Sequence, residues 1–365
     1  MTGALTGVRI VEFGGIGPGP FAAMLLADHG AEVIRIERPG AGFGPHALAR
    51  SRKAIGVELK SAEGVEIARA LCRGADGIIE GFRPGVMERL GLGPELLLGD
   101  NPKLVYGRMT GWGQDGPLAR APGHDINYIA VAGLLDGIGM PGAPPVAPVN
   151  YLGDFGGGGM LLAFGMVSAL LAVKNGAPGQ VVDAAMTEGA ALLASMSWGF
   201  KAAGMWRDGP AANLLSGAAP FYRTYACADG RHIAVGAIEP QFYAALVAGL
   251  GEDGAGQMDA AAWPARAERF AALFATRGRD DWVAHFAPDA CVSPVLTFDE
   301  AAAHPHNSAR GTFAGGAPAP APRFSATPAP PPEPSAPGEW TGRVLAGLGY
   351  DEDRIAALKA AGAIS

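Results

Sequence analysis

The N-terminal half of the chain alternates short runs rich in β-branched residues with segments of helical length. The strand-like runs cover residues 8–13, 31–37, 77–80 and 103–107. Between them, 21–29 and 61–73 carry apolar residues at helical spacing. Strands that alternate with such helices build βαβ units, so we expect a parallel sheet covered by helices on both faces. Ligands of these sheets bind beyond the carboxyl ends of the strands, which is where a functional site is expected.

The second half of the chain has a different pattern of residues and no longer alternates strand-like and helix-like segments. Residues 225–235 have the pattern of a hairpin with an Asp229-Gly230 turn, and helical segments rich in alanine follow it. A stretch dense in proline and alanine, 317–337, predicts an extended tether, and 340–361 returns to a helical pattern. We therefore predict a large domain that begins with 1–185, a linking helix at 186–219, a small α+β domain at 220–310, and a return segment at 311–365 that packs on the large domain.

Composition narrows the class of protein. Of 365 residues, 49% are hydrophobic and only 17% are charged, which predicts large buried surfaces that include a subunit interface. The net charge of −7 argues against nucleic acid as a partner. The three scattered cysteines fit a reducing compartment, and the N-terminus lacks the pattern of a signal peptide. The longest apolar run, 160–173, is shorter than a membrane span requires. We expect a cytoplasmic protein without membrane insertion.

Two motifs that resemble cofactor or metal sites are interpreted as structural. Residues 17–22, after the first strand-like run, loosely match the dinucleotide-binding fingerprint, with Glu37 near the place of its ribose-binding acid. Pro18 and Pro20 lack the N–H groups that a pyrophosphate needs, so we predict a tight strand-to-helix turn and no dinucleotide cofactor. The His304-Pro305-His306 sequence has no cysteine nearby, so we predict no metal site.

A histidine and an aspartate in glycine-rich segments are the best catalytic candidates. His124 follows Gly123, and Asp154 follows Gly153 and precedes a run of four glycines. Such a pair can serve as two acid–base groups when their surroundings keep one protonated and the other not. The sequence therefore favours an active site that contains His124 and Asp154.

Basic residues are concentrated between positions 35 and 60. This segment holds six basic residues against two acidic ones, Glu37 and Glu58, in a chain that is acidic as a whole. The six are Arg35, Arg38, Arg50, Arg52, Lys53 and Lys60. Arg83 and Arg89 follow in the next strand–helix unit. Arginines at the carboxyl ends of neighbouring strands are expected to converge on one phosphorylated ligand.

These residues fall in motifs that resemble the family III CoA-transferases and, within that family, its racemases. The motifs run in order along nearly the whole chain, at 11–13, 17–20, 35–40, 58–60, 83–86, 110–114, 123–128, 179–184, 236–243 and 289–296. The resemblance implies an α/β fold: a Rossmann-like large domain with a parallel sheet, built from both chain ends, and a smaller α+β domain. It also implies an interlocked homodimer with each active site between the large domain of one subunit and the small domain of the other.

The resemblance also implies roles for single residues. His124 and Asp154 match the family's two acid–base residues, and Glu239 matches a small-domain carboxylate that reaches the histidine. The positions that match its CoA-binding segments are Arg38, Val57, Glu58, Leu59, Lys60, Arg83, Arg89, Gly123, Asp125, Ile126, Asn127 and Tyr128. The substrate implied is an acyl-CoA thioester, with CoA as part of the substrate and no separate cofactor.

The expected reaction is inversion at the carbon next to a thioester, which makes the protein an isomerase. One group removes the proton, a planar enolate forms, and the other group returns a proton to the opposite face. Backbone N–H groups near 154–156 are expected to stabilise the enolate oxygen. One alternative is CoA transfer with Asp154 as the nucleophile, which leaves His124 without a task. Another is a non-catalytic protein that binds acyl-CoA and needs neither residue.

Overall fold

A six-stranded, fully parallel sheet forms the centre of the first of two structural units. The computed structural model describes residues 3–40 and 47–365. The strands are β1 (Arg9–Phe13), β2 (Glu32–Glu37), β3 (Arg52–Gly56), β4 (Gly77–Glu80), β5 (Val105–Thr110) and β6 (Gln180–Ala185). Their order is β3-β2-β1-β4-β5-β6, which is that of a doubly wound Rossmann-like sheet. The predicted parallel α/β fold is confirmed.

Helices cover both faces of this sheet, as the buried strands require. They are α1 (Pro18–Asp28), α2 (Ala62–Arg73), α3 (Val86–Arg89), α4 (Pro94–Asp100), α5 (Asp125–Val131), α6 (Leu161–Lys174) and α7 (Met186–Leu193). One apolar core lies between the sheet, α2 and α4, and it includes residues from the C-terminal segment. A second core lies on the other face, against α1 and α6. The strands are buried on both sides and rich in β-branched residues, which is why β1, β2 and β4 could be predicted.

The helix that carries Asp154 begins as a π-helix. Tyr151–Met160 has π-helical hydrogen bonding and continues directly into α6, so that Tyr151–Lys174 forms one helix of 24 residues. The helix is longer than the apolar run at 160–173 and could cross a membrane by length and composition alone, a test that the core helix of a globular protein also passes. Its buried residues Leu162, Ala163, Met166 and Ala169 belong to the second core of the sheet.

The second unit contains a three-stranded antiparallel sheet in the order β7-β8-β9. Its elements are α8 (Ser195–Ala202), β7 (Tyr222–Ala226), β8 (His232–Gly236), α9 (Pro240–Leu250), α10 (Trp263–Phe274), α11 (Arg279–His285), β9 (Val292–Pro294), α12 (Phe298–Ala303), α13 (Pro305–Arg310) and β10 (Phe313–Ala314). A separate aromatic core, with Phe221, Phe270, Phe274 and Trp282, holds this α+β unit together. The predicted hairpin corresponds to β7 and β8.

The boundaries of the units differ from the predicted domains. The first unit comprises Met1–Ala132, Pro148–Ser195 and Ala317–Ser365, and the second comprises Gly133–Ala147 and Met196–Gly316. Residues 133–147, predicted to lie in the large domain, therefore belong to the second unit. There, Asp136 accepts a hydrogen bond from the N–H of Gly209 at 2.7 Å. This contact joins positions 73 residues apart, which periodicity does not reveal.

The C-terminal segment packs on the sheet of the first unit, as the sequence predicts. Its elements are β11 (Ala317–Pro318), α14 (Thr341–Gly347) and α15 (Glu352–Ala360). The Thr341 hydroxyl accepts a hydrogen bond from the N–H of Gly56 at 3.0 Å, and Val57 forms a β-bridge with Ile364. The large unit is thus built from both chain ends.

Candidate active site

The crevice of the first unit lies where the order of the strands reverses. From β1 the chain crosses to β2 and β3 on one side and later returns to β4 and β5 on the other. Loops that leave neighbouring strands in opposite directions open a crevice beyond their carboxyl ends. The turn that follows β1, residues 14–17, lines that crevice.

Asp154 lies against this turn. A Cβ atom built on Gly17 would come within 3.5 Å of Asp154 Oδ2, and Gly17 has a φ of +68° that side chains other than glycine's rarely allow. The carboxylate is half-buried, and Oδ2 accepts a hydrogen bond from Asn150 Nδ2 at 3.1 Å. The fold therefore places Asp154 at the switch point of the sheet, which is the crevice where the order of the strands reverses.

The glycines after Asp154 serve packing. A Cβ atom on Gly157 would lie 2.6 Å from the backbone nitrogen of Ala190, and one on Gly189 would lie 1.8 Å from the carbonyl oxygen of Gly157. On the other side, a Cβ atom on Gly159 would lie 2.8 Å from the carbonyl oxygen of Pro18. The π-helix thus passes between α1 and α7 in backbone contact with both.

His124 immediately precedes α5, and its backbone is held by two neighbours. Asn127 Oδ1 accepts a hydrogen bond from the N–H of His124 at 3.0 Å, as in a capping box. The Tyr128 hydroxyl donates to the carbonyl of Gly123, and its ring packs edge-on against Trp112. The His124 side chain itself is exposed. The motif at 123–128 therefore fixes the histidine backbone while leaving the imidazole accessible.

Asp125 joins the two segments that carry the candidate acid–base residues. Its Oδ2 accepts hydrogen bonds from the N–H groups of Gly153, at 2.6 Å, and of Asp154, at 2.7 Å. Asp125 is only 5% exposed, and both amides that its Oδ2 accepts belong to the segment of Asp154. The N–H of Asp154 is thus occupied and is not available as the predicted donor to an enolate.

The surroundings of Asp154 favour its protonated form. Burial is the largest cause that raises the pKa of Asp154 above its usual range, and the charge of Asp125 raises it further. The hydrogen bond from Asn150 and the charge of His124 act in the opposite direction, but the net shift is upward. An aspartate that holds its proton to a higher pH is better suited to acid–base work near neutrality.

The structure corrects the interpretation of the basic cluster. Four of its six cations form ion pairs inside the fold. Arg35 pairs with Glu12 and Glu37, Arg52 with Glu12 at 3.0 Å, Arg50 with Asp28 at 2.5 Å, and Lys53 with Glu32. Arg35 and Arg52 are buried, because they neutralise Glu12 in the centre of the sheet. These four cations are not free to bind a phosphate.

The other cations remain exposed near the carboxyl ends of three strands. Arg38 follows β2, Lys60 follows β3, and Arg83 and Arg89 follow β4; none of them forms an ion pair within the described part of the chain. Arg83 lies close enough to Tyr128 for its charge to lower the pKa of that hydroxyl, although burial raises it overall. The exposed cations and the histidine segment thus share one edge of the sheet.

The remaining predicted CoA-binding residues have mixed surroundings. Val57 is 1% exposed and belongs to the core, and Leu59 packs against that core. The Glu58 carboxylate accepts a hydrogen bond from the N–H of Lys60 at 2.9 Å. Ile126, by contrast, is 44% exposed beside His124. Core packing therefore accounts for Val57 and Leu59 without a ligand.

Glu239 belongs to the second unit. It is exposed and immediately precedes α9, after the end of β8. Cys291 lies near enough for the charge of Glu239, after the larger effect of burial, to raise the pKa of its thiol. A pocket of about 590 Å³ on the β7-β8-β9 sheet is lined by Arg223, Val235 and Cys291 among others, and by none of the predicted site residues.

Sequence reasoning missed Asn150, the approach of Gly17 to Asp154 and the contacts of Asp125. Their signals are weak, because one amide four residues before an aspartate and one glycine in a turn are common in proteins. No group of three or more potential metal ligands occurs in residues 3–40 and 47–365.

Comparisons with known proteins agree with this architecture. The profile of CoA-transferase family III matches residues 5–338. The alpha-methylacyl-CoA racemases of Mus musculus and Homo sapiens are 47% and 44% identical over 363 residues, which cover 96% of this chain and 95% of theirs. A CAIB/BAIF family protein from Brucella suis has a similar crystal structure. The TM-score is 0.83 at 25% identity, with 95% of this chain and 100% of that one covered.

Proposed function

Because the chain belongs to CoA-transferase family III, we propose that it is an α-methylacyl-CoA racemase that interconverts (2R)- and (2S)-2-methylacyl-CoA thioesters. One observation carries the choice of activity within the family. The segments of His124 and Asp154 are hydrogen-bonded to each other through Asp125 at the switch point of the sheet. CoA transfer requires a nucleophilic carboxylate and gives a second acid–base group no task.

The two residues supply the proton chemistry of the reaction. A thioester acidifies the neighbouring C–H, so a base on one face can remove the proton and leave a planar enolate. An acid on the opposite face then protonates the enolate and inverts the centre. His124 and Asp154 act on opposite faces, and each is the base for one enantiomer and the acid for the other. The raised pKa of Asp154 lets it hold the proton that it must donate.

The first turn of α5 supplies donors for the enolate oxygen. The N–H groups of Asp125 and Ile126 have no hydrogen-bond acceptor in the described part of the chain, as expected for the first residues of a helix. They lie next to His124 and at the positive end of the helix dipole, where negative charge is stabilised. These donors replace the amide of Asp154, which Asp125 occupies.

The exposed cations bind the phosphates of CoA. Replacing Arg89 with alanine is expected to raise KM for a 2-methylacyl-CoA about tenfold while changing kcat much less, because a phosphate contact far from the reacting carbon contributes equally to substrate and transition state. Steady-state kinetics measure both constants. Arg73 is the matched control, since its partner is Asp100 at 3.3 Å, and Arg73→Ala should leave KM unchanged. An unchanged KM in Arg89→Ala would remove Arg89 from the CoA site.

We further propose that two chains form the active unit, with Glu239 of the partner subunit completing the site at His124. Large apolar side chains are unusually exposed on the single chain, which supports an interface between subunits. Those more than half exposed include Phe164, Leu171, Leu192, Met196, Trp198 and Met205. Glu239 would orient the imidazole of His124 and stabilise its charged form.

The activity is tested with one enantiomer of a 2-methylacyl-CoA in D₂O, without an acceptor acid. The racemase is expected to produce both enantiomers and to place deuterium at the α-carbon, because the returned proton comes from a residue that exchanges with solvent. Chiral chromatography with mass spectrometry measures both. A transferase would leave the α-proton in place, require a second carboxylic acid, and give an acyl-enzyme that hydroxylamine traps. An acyl-CoA-binding protein would produce neither result. Either outcome would overturn the proposal.

A further inference from the structure

The Asp125 carboxylate is built into the structure rather than exposed to a ligand. It is almost fully buried, and Oδ2 accepts the N–H groups of two consecutive residues, Gly153 and Asp154. Two short hydrogen bonds to one charged oxygen are among the stronger interactions of a backbone amide. The other oxygen, Oδ1, is buried and has no hydrogen-bond partner among the described residues.

The position of these amides in the π-helix gives the contact its importance. The first N–H groups of any helix lack acceptors within it, and a π-helix leaves one more unpaired than an α-helix. Tyr151–Met160 begins just before Asp154, so Gly153 and Asp154 are among these unpaired residues. Asp125 therefore acts as a cap supplied by a distant segment, 28 residues away from Gly153.

The charge of Asp125 also acts on the side chain of Asp154. The charged or polar groups that act on Asp154 are Asp125 and His124 at the start of α5, and Asn150 at the start of its own helix. Tyr128 of α5 lies near enough for the charge of Asp154 to raise the pKa of its hydroxyl. Among the other elements packed on the π-helix, α7 carries Glu188, which is exposed, and α1 carries only Asp28, at its far end. Helix α6 carries only Lys174, at its last residue, and strands β5 and β6 carry Arg108 and Asp183.

We infer that the Asp125 carboxylate is a positioning group that fixes Asp154 relative to His124 and adjusts its protonation, and that this side chain is not a contact for CoA. This inference rests on the proposed racemase function. Because His124 directly precedes Asp125 in the chain, one carboxylate links the backbone of both acid–base residues. Its negative charge favours the protonated form of Asp154.

Asp125→Asn tests the inference, because the amide oxygen can still accept both N–H groups while the charge is lost. We expect kcat to fall about 10- to 100-fold, because a neutral oxygen holds the two amides more weakly and a misplacement of Asp154 by about 1 Å can cost about 10²-fold. KM should change less than about twofold. At low pH both acid–base residues are protonated and no base remains, which gives the acid limb of the pH–rate profile. Without the Asp125 charge, the pKa of Asp154 falls and this limb moves to lower pH.

One control variant, and a comparison of wild type with Asp125→Asn, show that the shift of the acid limb comes from Asp154. Asp229 also accepts N–H groups, from Arg231 and Arg279, both at 3.1 Å, so Asp229→Asn should leave the limb unchanged. Burial raises the pKa of Glu80 to about 7, but Glu80 titrates equally in wild type and Asp125→Asn. The difference between their profiles therefore reports on Asp154.

A second measurement does not depend on activity. Hydrogen–deuterium exchange of the peptide that spans 151–160 should be faster in Asp125→Asn, because a neutral oxygen accepts the two amide hydrogen bonds more weakly. If the wild type fails to racemise its substrate, the proposed function fails, yet this exchange still decides whether Asp125 caps the π-helix. The two failures are therefore distinguishable.

Gly153→Ala disturbs the same hydrogen bond at its donor residue, and it replaces Asp125→Asn as the test if that variant does not fold. The added Cβ would lie 2.7 Å from Asp125 Oδ2 and must displace it. We expect the same fall in kcat with little change in KM. A variant of either residue that raises KM with kcat unchanged would make Asp125 a CoA contact. Unaltered kcat, acid limb and exchange would also overturn the inference.

Discussion

Replacing His124 or Asp154 with alanine is expected to lower the rate of racemisation by about 10²–10⁴-fold, the usual contribution of one acid–base group. Each residue supplies one half of the same proton transfer, so the double variant should be little slower than the more damaged single one. KM should change far less than kcat, because neither side chain is needed to hold the phosphates. His232→Ala, which removes an exposed histidine in β8, is the matched control and should be unimpaired.

The isotope pattern of these variants adds a sharper test. A variant that keeps one of the two residues can still remove the α-proton from the enantiomer facing that residue, and it can return deuterium to the same face. Racemisation should therefore fall further than exchange for one enantiomer, and His124→Ala and Asp154→Ala should prefer opposite enantiomers. Equal losses of exchange with both enantiomers in both variants would contradict the assignment of opposite faces. Full activity of either variant would contradict a catalytic role.

Mixing two inactive chains is expected to restore activity if the site is shared. A His124→Ala chain and a Glu239→Ala chain, co-expressed with different tags, give heterodimers that can be isolated. If His124 and Glu239 in one site come from different chains, the heterodimer has one site with both lesions and one with neither. It should then recover about half the activity of the wild-type dimer, far above either parent.

The same experiment discriminates the alternatives. If both residues of a site came from one chain, every site in the heterodimer would carry a lesion, and the activity would stay between those of the two parents. A heterodimer of two His124→Ala chains with different tags controls for the tags and for subunit exchange. A stable monomer in solution, measured by light scattering at working concentration, would contradict the shared site before any mixing.

The parallel sheet was predictable because its central strands are buried on both faces. The runs at β1, β2 and β4 are rich in Ile and Val, and most of their residues are buried. Their charged residues include Glu12 and Arg35, which are buried and pair with each other. Strand β3 was missed because Arg52 and Lys53 at its start made it resemble a solvated basic segment. Three of the six residues of edge strand β6 are exposed, so it lacks the same signal.

The candidate site was only partly predictable. His124 and Asp154 stand out as ionisable residues among glycines, but a pattern of residue types does not show which hydrogen bonds join them. The charge count from Arg35 to Lys60 overestimated the phosphate site, since it ignored partners such as Asp28 and Glu32, which lie outside that range. The net charge of a segment can be counted from the sequence. Whether a basic side chain can bind a ligand depends on which acidic side chains lie next to it in the fold.

The buried group of Glu12, Arg35, Glu37 and Arg52 also constrains how the sequence can change. Removing one member of a buried ion group leaves an uncompensated charge and costs about 3–5 kcal/mol, a large part of the stability of a typical domain. Replacing all the members together with apolar residues of similar volume can be neutral. A lineage that loses these charges must therefore cross a strongly unfavourable intermediate. The four residues are expected to be inherited as a block, present or absent together, even where they contribute nothing to turnover.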